Sequence, residues 1–226
     1  MNAHGHIRRH TVAPAGEPPP ADGDGDGGPW ATAEALAVDQ FPWYECGKKQ
    51  STTVRMLYDP EAIYLQFLCQ DVHISAEVRE LNGSVCRDSC VEFFAAAHPA
   101  DTPDYFNLEI NCCGTMLMGF GDTGGRRRKP ITSDQAAGIR IATSVPGPTK
   151  RESADDDGWW VVAVLPFDLL SEFTGRTVRP TAGDLWLANL YRCGGKTDPQ
   201  YACWNPIDLP HPDFHCLKFF GELHFA

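Results

Sequence analysis

The sequence predicts an all-β fold, an antiparallel two-sheet β-sandwich that follows a disordered N-terminal tail. From residue 30 onward, short segments rich in β-branched and aromatic residues succeed one another, with turn residues between them. Several of these segments alternate between apolar and polar side chains, which is typical of half-buried strands. Long helical patterns between the strands do not occur, which disfavours a parallel α/β sheet. A chain of 226 residues with 42% hydrophobic composition is long enough for one substantial core.

The first 28 residues differ in composition from the rest of the chain. They are mostly Pro, Gly, Asp and His, with almost no apolar side chains. Such a composition cannot offset the entropy lost on ordering. We therefore expect a disordered tail over residues 1–28 and one folded domain over residues 29–226. The start lacks the apolar stretch of a secretory signal, so the sequence as it stands predicts no export by that route.

Two hairpins are the clearest elements. Residues 53–58 and residues 63–69 alternate in hydrophobicity, and Asp59 and Pro60 supply the turn between them. A second hairpin covers residues 104–120, with Gly114 as the breaker. The segment PFDLLSEF, residues 166–173, predicts a short helix opened by Pro and Asp. Further strands are predicted in GIRIATSV, GWWVVAVLPF, GDLWLANLYRC and FFGELHFA.

Charge and composition exclude several classes of partner. The net charge of -11 disfavours nucleic acid, whose binding depends on clustered Lys and Arg. The basic run at residues 126–129 is interpreted as a solvated loop. No run of 18 apolar residues occurs, so no transmembrane helix is predicted. Nine cysteines at irregular spacing predict reduced, mostly buried thiols. The set His211, His215, Cys216 and Cys203 lacks the spacing of a zinc site, so no metal site is predicted.

The stretch VCRDSCVEFF, residues 85–94, offers the first candidate site. If it is extended, Cys86, Asp88, Cys90 and Glu92 share one face, opposite the apolar side chains. The two cysteines would then lie about 13 Å apart, beyond the reach of a disulfide. A redox pair would require Cys86 to lie in the preceding loop.

Two other segments present polar side chains with the same alternation. In NLEIN, Asn107, Glu109 and Asn111 share a face. In WLANLYRC, Asn189 and Tyr191 share a face opposite Arg192. Such strands could form a polar floor for a ligand; the alternative interpretation is a solvated outer sheet face. Sugars need aromatic rings beside polar groups. We expect Tyr201 and Trp204, in a proline-rich segment, to lie outside the core and Trp159, Trp160 and Trp186 to lie within it.

The ordered set of segments resembles the family 9 carbohydrate-binding modules, within the wider DOMON-like group. The resemblance covers roughly residues 30–226. Its most specific elements are Asp88 with the following Val-Glu-Phe, the strand from Gly158 that ends in Pro-Phe, and the final strand from Gly221.

The resemblance implies a jelly-roll-like sandwich that binds mono-, oligo- or polysaccharides, often at a chain end and in support of carbohydrate breakdown, without catalytic activity. It requires no cofactor, although a structural calcium would be compatible with it. Glu92 matches the sugar-bonding Glu of the family, and Glu109 and Asn189 lie on the corresponding polar strands. Family members place a Trp six residues before that Glu, whereas this chain has Cys86. With this vacancy, the ring platform is expected from Trp204, Tyr201 or Tyr191. We predict as ligand-binding residues Cys86, Asp88, Glu92, Glu109, Asn111, Asn189, Tyr191, Arg192 and Trp204.

Three alternatives stay open at this stage. A haem-binding electron-transfer domain would need axial ligands, for which Met116, Met118 and His73 are available. A glycoside hydrolase would need two carboxyls across a cleft, for which Glu92 and Glu109 are the candidates. A sandwich scaffold that has lost its ligand would need neither arrangement.

Overall fold

The computed structural model describes residues 7–20, 23, 25, 27–122, 128–149 and 151–226. The described part of the chain is mostly β-structure with two short helices. None of its helices is long and apolar enough to cross a membrane. The helices are α1 (Ser133–Ala136) and α2 (Phe167–Thr174). The strands are β1 (Arg9–Pro14), β2 (Leu36–Ala37), β3 (Thr52–Tyr58), β4 (Ala62–Gln70), β5 (Cys90–Ala96), β6 (Tyr105–Asn111), β7 (Met116–Gly121), β8 (Lys129–Pro130), β9 (Arg140–Thr143), β10 (Gly158–Pro166), β11 (Leu185–Cys193), β12 (Tyr201–Cys203) and β13 (Gly221–Phe225).

The predicted hairpins and helix are present. Strands β3 and β4 pair antiparallel around the turn at Asp59 and Pro60. Strands β6 and β7 pair likewise, and Gly114 between them adopts a φ of 86°, a value that favours glycine. Helix α2 begins directly after Pro166 and ends at Gly175, which has the left-handed conformation of a helix C-cap.

The strands form one curled, mixed sheet. Its order is β8-β7-β6-β5-β11-β13-β1-β3-β4-β10-β9. Two short strands lie off this path: β12 pairs with β11, and β2 pairs with β3. Strand β1 pairs in parallel with both β13 and β3, whereas the other strand pairs are antiparallel. The prediction of a mostly β fold is confirmed. Two separate, strictly antiparallel sheets are not confirmed, because β1 connects the two groups of strands through parallel pairing.

Strand β1 also corrects the predicted extent of the tail. Residues 1–6, 21, 22, 24 and 26 lie outside the described residues, but residues 9–14 are not a disordered tail. Val12 is fully buried in the main core, and the backbone of β1 pairs with strands more than 40 and 200 positions away along the chain. The composition did not predict this strand because its stabilisation comes from distant partners and from two buried side chains, His10 and Val12.

The curled sheet encloses one main core. Strands β3, β4 and β10 contribute one wall, and β5, β6 and β11 contribute the other. Strand β10 illustrates the alternation: Val161, Ala163 and Leu165 face this core, while Val162 and Val164 face outward. Trp159 and Trp186 are buried in the main core, as predicted. The same prediction is wrong for Trp160, whose side chain points to the outer face and is half-buried there.

Both outer faces of the sheet are covered by chain segments. The N-terminal cover, the described part of residues 13–33, packs Trp30 against Tyr64 and Val162 outside β4 and β10. The C-terminal cover, residues 204–220, packs Ile207, Phe214 and Phe220 outside β5, β6 and β11. The polar face that was predicted for β5, β6 and β11 is therefore largely buried beneath the C-terminal cover.

Candidate functional site

Two glutamates face each other beneath the C-terminal cover. Glu92 on β5 and Glu109 on β6 are directly opposite in the antiparallel register. Cross-strand side chains in this arrangement lie about 5 Å apart at Cβ. Both residues are buried, at 3% and 5% exposure. The sequence predicted both residues as ligand contacts, and pairing between neighbouring strands, rather than spacing within one strand, brings them together.

A cavity of about 200 Å³ opens onto this pair. We call it the central cavity. Its floor is formed by Glu92, Glu109 and Cys193, and Tyr201 stands at its rim with 40% exposure. Its remaining walls are Cys86 and residues 212–215 of the C-terminal cover. Among the described residues, Tyr201 is the only aromatic side chain that is largely exposed.

Each carboxyl group accepts one side-chain hydrogen bond. The Cys193 thiol donates to Glu92 Oε1 over 3.1 Å, and Asn107 Nδ2 donates to Glu109 Oε1 over 2.9 Å. Within the described part of the chain, Oε2 of each glutamate has no hydrogen-bond partner and belongs to a residue that lines the cavity. These two oxygens are free to bond hydroxyl groups of a ligand.

Burial changes the protonation of the pair. Burial, followed by repulsion from Glu109, raises the pKa of Glu92 well above its usual value. Burial also raises the pKa of Glu109 to about 6, although the hydrogen bond from Asn107 and the charge of Arg128 lower it. Because like charges at this distance disfavour double ionisation, the pair retains a proton more readily than exposed glutamates do. A protonated carboxyl donates one hydrogen bond and still accepts others, which suits a hydroxyl-rich ligand.

A second cavity of about 250 Å³ adjoins the first at Glu109 and His215. We call it the side cavity. Arg128 is one of its lining residues. The Arg128 guanidinium lies 4.3 Å from the Tyr105 ring centre, and its Nε donates to Asn107 Oδ1 over 3.0 Å. Arg128 thereby fixes which way the Asn107 amide points and so positions Glu109. The predicted solvated loop is wrong for Arg128; Arg126 and Arg127 lie outside the described residues.

His215 belongs to both cavities. Its Nδ1 forms a 2.8 Å hydrogen bond with the Tyr105 hydroxyl, and its ring lies 4.9 Å from that of Phe94. Burial and then the charge of Arg128 lower the pKa of His215 to about 4. The imidazole is therefore neutral near neutral pH, and the sequence had suggested His215 only as part of a rejected metal set.

A sequence profile of carbohydrate-binding family 9 matches residues 30–225. The chain belongs to carbohydrate-binding family 9. Modules of this family are non-catalytic, as predicted for this chain. No significant match was found among curated proteins.

Solved structures with this family 9 fold include three with high coverage. A candidate carbohydrate-binding protein from Bacteroides uniformis ATCC 8492 superposes with a TM-score of 0.82 at 25% identity, covering 98% of this chain and 100% of the other. A family 9 module from Caldicellulosiruptor kristjanssonii in complex with cellotriose has a TM-score of 0.62 at 15% identity, covering 96% and 93% of the two chains. The same module in complex with glucose gives 0.62 and 15%, with 97% and 96% covered.

In this family 9 chain, Cys86 lines the central cavity from a turn rather than from a strand. Val85–Arg87 form a 3-10 turn, and β5 begins only at Cys90. The extended conformation considered for residues 85–94 is therefore wrong before Cys90. Cys86 lies in the loop, as a redox pair would have required, but both thiols are free. Cys86 is exposed on the surface side, but its partial burial, with the charges of Glu109 and Glu92, raises the pKa of its thiol to about 11 and so disfavours the reactive thiolate.

Asp88 and Asn111 fasten the loop that precedes β5. Asp88 accepts hydrogen bonds from the backbone of Glu77 and Val78, both over 3.0 Å. Asn111 Nδ2 donates to Asp88 Oδ2 over 2.9 Å. Both residues are almost fully buried, and neither lines the central cavity. The structure places them behind Cys86, where they hold the turn that carries it.

Asn189 and Tyr191 fasten the C-terminal cover to β11. Asn189 Nδ2 donates to the carbonyls of Asn205 and Phe219, each over 3.0 Å. The Tyr191 ring is stacked on Phe214 with centroids 4.0 Å apart, and its hydroxyl donates to the Phe214 carbonyl over 3.1 Å. Both predicted contacts are completely buried, so they position the cavity wall and lie outside its lining.

Arg192 and Trp204 lie away from the site. Arg192 forms a buried ion pair with Asp71 and stacks 5.1 Å from the Trp159 ring centre. Trp204 is 3% exposed in the main core, where its ring lies so close to Gly221 that a side chain there would collide with it. The expectation that Trp204 lies outside the core is wrong, because the prolines around it belong to a cover that is itself packed down.

The remaining alternatives find less support. Met116 and Met118, considered as haem ligands, are buried in the main core. Within the described residues, no group of three or more His, Cys, Asp or Glu side chains is placed to hold a metal ion. Asn107 was predicted only as a member of the polar face of its strand. Arg128 and Cys193, which the sequence did not identify as site residues, become recognisable only through strand pairing and loop packing.

Proposed function

We propose that the protein is a carbohydrate-binding module that takes the end unit of a sugar chain in its central cavity, in support of carbohydrate breakdown. The observation that carries this proposal is the pairing of Glu92 and Glu109, with an unbonded oxygen on each, beneath the exposed ring of Tyr201. Carboxyls bond sugar hydroxyls, and an aromatic ring packs on the apolar C-H face of a sugar.

The family and its solved structures support the same chemistry. The solved structures of the family 9 module from Caldicellulosiruptor kristjanssonii are complexes with cellotriose and with glucose. In this chain Cys86 stands where the family resemblance implies a Trp, so Tyr201 provides the exposed ring at the cavity. One ring in place of two predicts weaker stacking on the ligand. The narrow cavity, walled on one side by residues 212–215, favours a terminal sugar unit.

A glycan array followed by calorimetric titration tests the proposal. For the best glycan, Glu92→Ala should lower affinity at least tenfold, because it removes the floor carboxyl. The matched control is Glu172→Ala, an exposed glutamate on α2, which should leave affinity unchanged. Circular dichroism should show that both variants fold. Unchanged affinity in Glu92→Ala would place sugar binding elsewhere, and an array without any bound glycan would favour a scaffold that has lost its ligand.

The ring contact has a test of its own. Tyr201→Ala should lower affinity by about tenfold, which corresponds to about 1.4 kcal/mol, since one ring contact is lost. The control is Leu185→Ala, which removes another exposed apolar side chain, 38% exposed, at the opposite end of β11 from Cys193. If both variants bind alike, Tyr201 is not the platform.

A further inference from the structure

The two glutamates of the central cavity lack a cationic partner. Each receives one side-chain hydrogen bond, and both donors are neutral: the Cys193 thiol bonds Glu92, and the Asn107 amide bonds Glu109. Within the described part of the chain, neither glutamate takes part in an ion pair. A buried carboxylate without a charged partner is costly for folding. The chain therefore leaves a negative site that is not neutralised from within.

Other buried carboxyl groups of the chain are fully partnered. Asp71 and Asp88 are both 2% exposed. Asp71 forms an ion pair with Arg192 and accepts a hydrogen bond from Trp159 Nε1 over 2.8 Å. Each oxygen of Asp88 accepts a backbone N-H group over 3.0 Å. Because the structural carboxyls are satisfied in this way, the glutamate pair stands out as a site whose partner comes from outside the chain.

The bases near the central cavity do not supply the missing charge. The Arg128 guanidinium lines the side cavity and not the central one, and it already donates to the Gly119 carbonyl over 3.0 Å. Burial raises the pKa of Glu109 to about 6, although the charge of Arg128 opposes this. Burial and then repulsion from Glu109 raise the pKa of Glu92, and no cation among the described residues opposes it. His215 is neutral near neutral pH, since burial and then the charge of Arg128 lower its pKa to about 4.

The rim of the central cavity also suits a cation. Asp213 adds an exposed carboxylate to its wall, and the lining contains no Lys or Arg. The Tyr201 ring, 40% exposed at the rim, is a surface on which cations bind favourably. A metal ion is disfavoured, because within the described residues no group of three or more His, Cys, Asp or Glu side chains is placed to hold one. An organic ammonium group, which donates up to three hydrogen bonds, matches the two unbonded Oε2 atoms of the pair.

We propose that the terminal unit bound in the central cavity is an amino sugar, whose ammonium group lies between the Oε2 atoms of Glu92 and Glu109. This inference rests on the proposed function, since the same cavity holds the sugar. The ammonium group supplies the positive charge that the lining lacks, and its hydrogen bonds to carboxylates are charge-assisted and stronger than those of a hydroxyl group. An acetylated amine carries no charge and cannot replace it. The site therefore selects a free amine over both a hydroxyl and an acetamide.

The experiment is calorimetry of the full chain with three β-1,4-linked disaccharides that differ only at position 2 of their glucose units. They are cellobiose with a hydroxyl, the glucosamine disaccharide with a free amine, and N,N′-diacetylchitobiose with an acetamide. At about pH 6.5, where an amine of this kind is protonated, we expect the glucosamine disaccharide to bind at least tenfold tighter than the other two. Putrescine, a diamine without a sugar ring, should bind at least tenfold more weakly than the glucosamine disaccharide.

A charge-removing variant tests where the ammonium group lies. Glu109→Gln keeps the shape of the side chain and removes its charge, so the preference for the glucosamine disaccharide over cellobiose should fall at least fivefold. Glu172→Gln on α2, an exposed position, is the matched control and should keep the full preference. Glu92→Gln provides the same test if Glu109→Gln fails to fold.

The outcomes separate this inference from the proposed function. Binding of cellobiose or N,N′-diacetylchitobiose that equals or exceeds that of the glucosamine disaccharide would overturn the amino-sugar assignment and leave the sugar site intact. Equal losses for the amine and the hydroxyl disaccharide in Glu109→Gln would also overturn it. Putrescine binding as tight as that of the glucosamine disaccharide would show an amine site without selection for sugar. If no disaccharide binds and the glycan array is also empty, the proposed function fails together with the inference.

Discussion

The two outer faces of the sheet are both covered, but by segments with different roles. Outside β4 and β10, the N-terminal cover presses Trp30 onto Tyr64 and Val162 in a small apolar cluster. Outside β5 and β6, the C-terminal cover also packs apolar side chains, yet it leaves a cavity over Glu92 and Glu109. The first face stabilises the fold, whereas the second gives up part of its apolar contact for a polar site.

The difference originates in the outward positions of the strands. On β10 the outward side chains under the cover are Val162 and Val164. On β5 the outward row runs from Cys90 through Glu92 to Phe94, so a carboxyl is inserted between apolar neighbours. Buried carboxyls with an incomplete set of partners are costly for folding. Their presence under a packed segment therefore indicates function rather than stability.

The largest expected effect concerns the N-terminal cover. Trp30→Ala removes a side chain that is 2% exposed and should lower the free energy of unfolding by about 3–5 kcal/mol. The half-buried Trp160→Ala on the same face should cost less. Urea denaturation gives both values, and calorimetry should show normal sugar affinity for the folded protein. A fall in affinity in the Trp30 variant would mean that the two faces are coupled.

The next effect concerns the C-terminal cover. Asn189→Ala leaves the Asn205 carbonyl without its donor, and the backbone N-H groups of Leu190 and Asn205 without their side-chain acceptor. The Phe219 carbonyl loses one of two donors and keeps Asn205 Nδ2. The free energy of unfolding should fall by about 2–3 kcal/mol. Because residues 212–215 of the cover form one wall of the cavity, sugar affinity should also fall. Normal affinity with reduced stability would show that the cavity does not depend on this anchor.

The third prediction is a substitution that should increase stability, Glu109→Gln. Glu109 has a pKa raised from 4.5 to about 6, so the folded state binds its proton more tightly than the unfolded state does. Stability is then highest below pH 4.5 for this group and falls as pH rises through about 6, by about 2 kcal/mol in total. Glu109→Gln should remove that loss and raise the free energy of unfolding near pH 7.5, while weakening sugar binding.

The measurement is urea denaturation between pH 4 and pH 8 for both proteins. The wild type should lose stability across this window relative to Glu109→Gln. Exposed Glu172→Gln on α2 is the control and should follow the wild type. Parallel curves for wild type and Glu109→Gln would show that Glu109 titrates as an ordinary exposed glutamate.

The sequence predicted the local elements better than their connections. The hairpin around Asp59 and Pro60 and helix α2 depend on neighbouring residues, so alternation and turn residues were enough to find them. Strand β1 was missed because its partners β13 and β3 are distant and Val12 is its only large aliphatic side chain. The parallel pairing of β1, which makes the sheet mixed, could not be derived without those partners.

The prediction of the site residues shows the same difference between local pattern and distant packing. Glu92 and Glu109 were predicted through alternation and the family resemblance, and the structure places both at the cavity. Trp204 was misplaced because proline neighbours suggested exposure, whereas its ring is packed against Gly221 in the core. Arg128 was missed because a basic run in a sequence gives no indication that one member turns inward to Asn107.

The most direct measurement is a sugar titration followed by amide NMR shifts. The outer face that carries β4 and β10 also has a concavity of about 480 Å³, lined by Thr53, Gln70 and Trp160 among others. This concavity is the alternative place on the same molecule where a sugar could bind. We predict that the glycan that binds best on the array changes the amide chemical shifts of Glu92, Glu109, Tyr201 and His215. The amide shifts of Thr53, Gln70 and Trp160 should stay unchanged. Shifts confined to the β4 and β10 face would contradict the assignment of sugar binding to the cavity beneath the C-terminal cover.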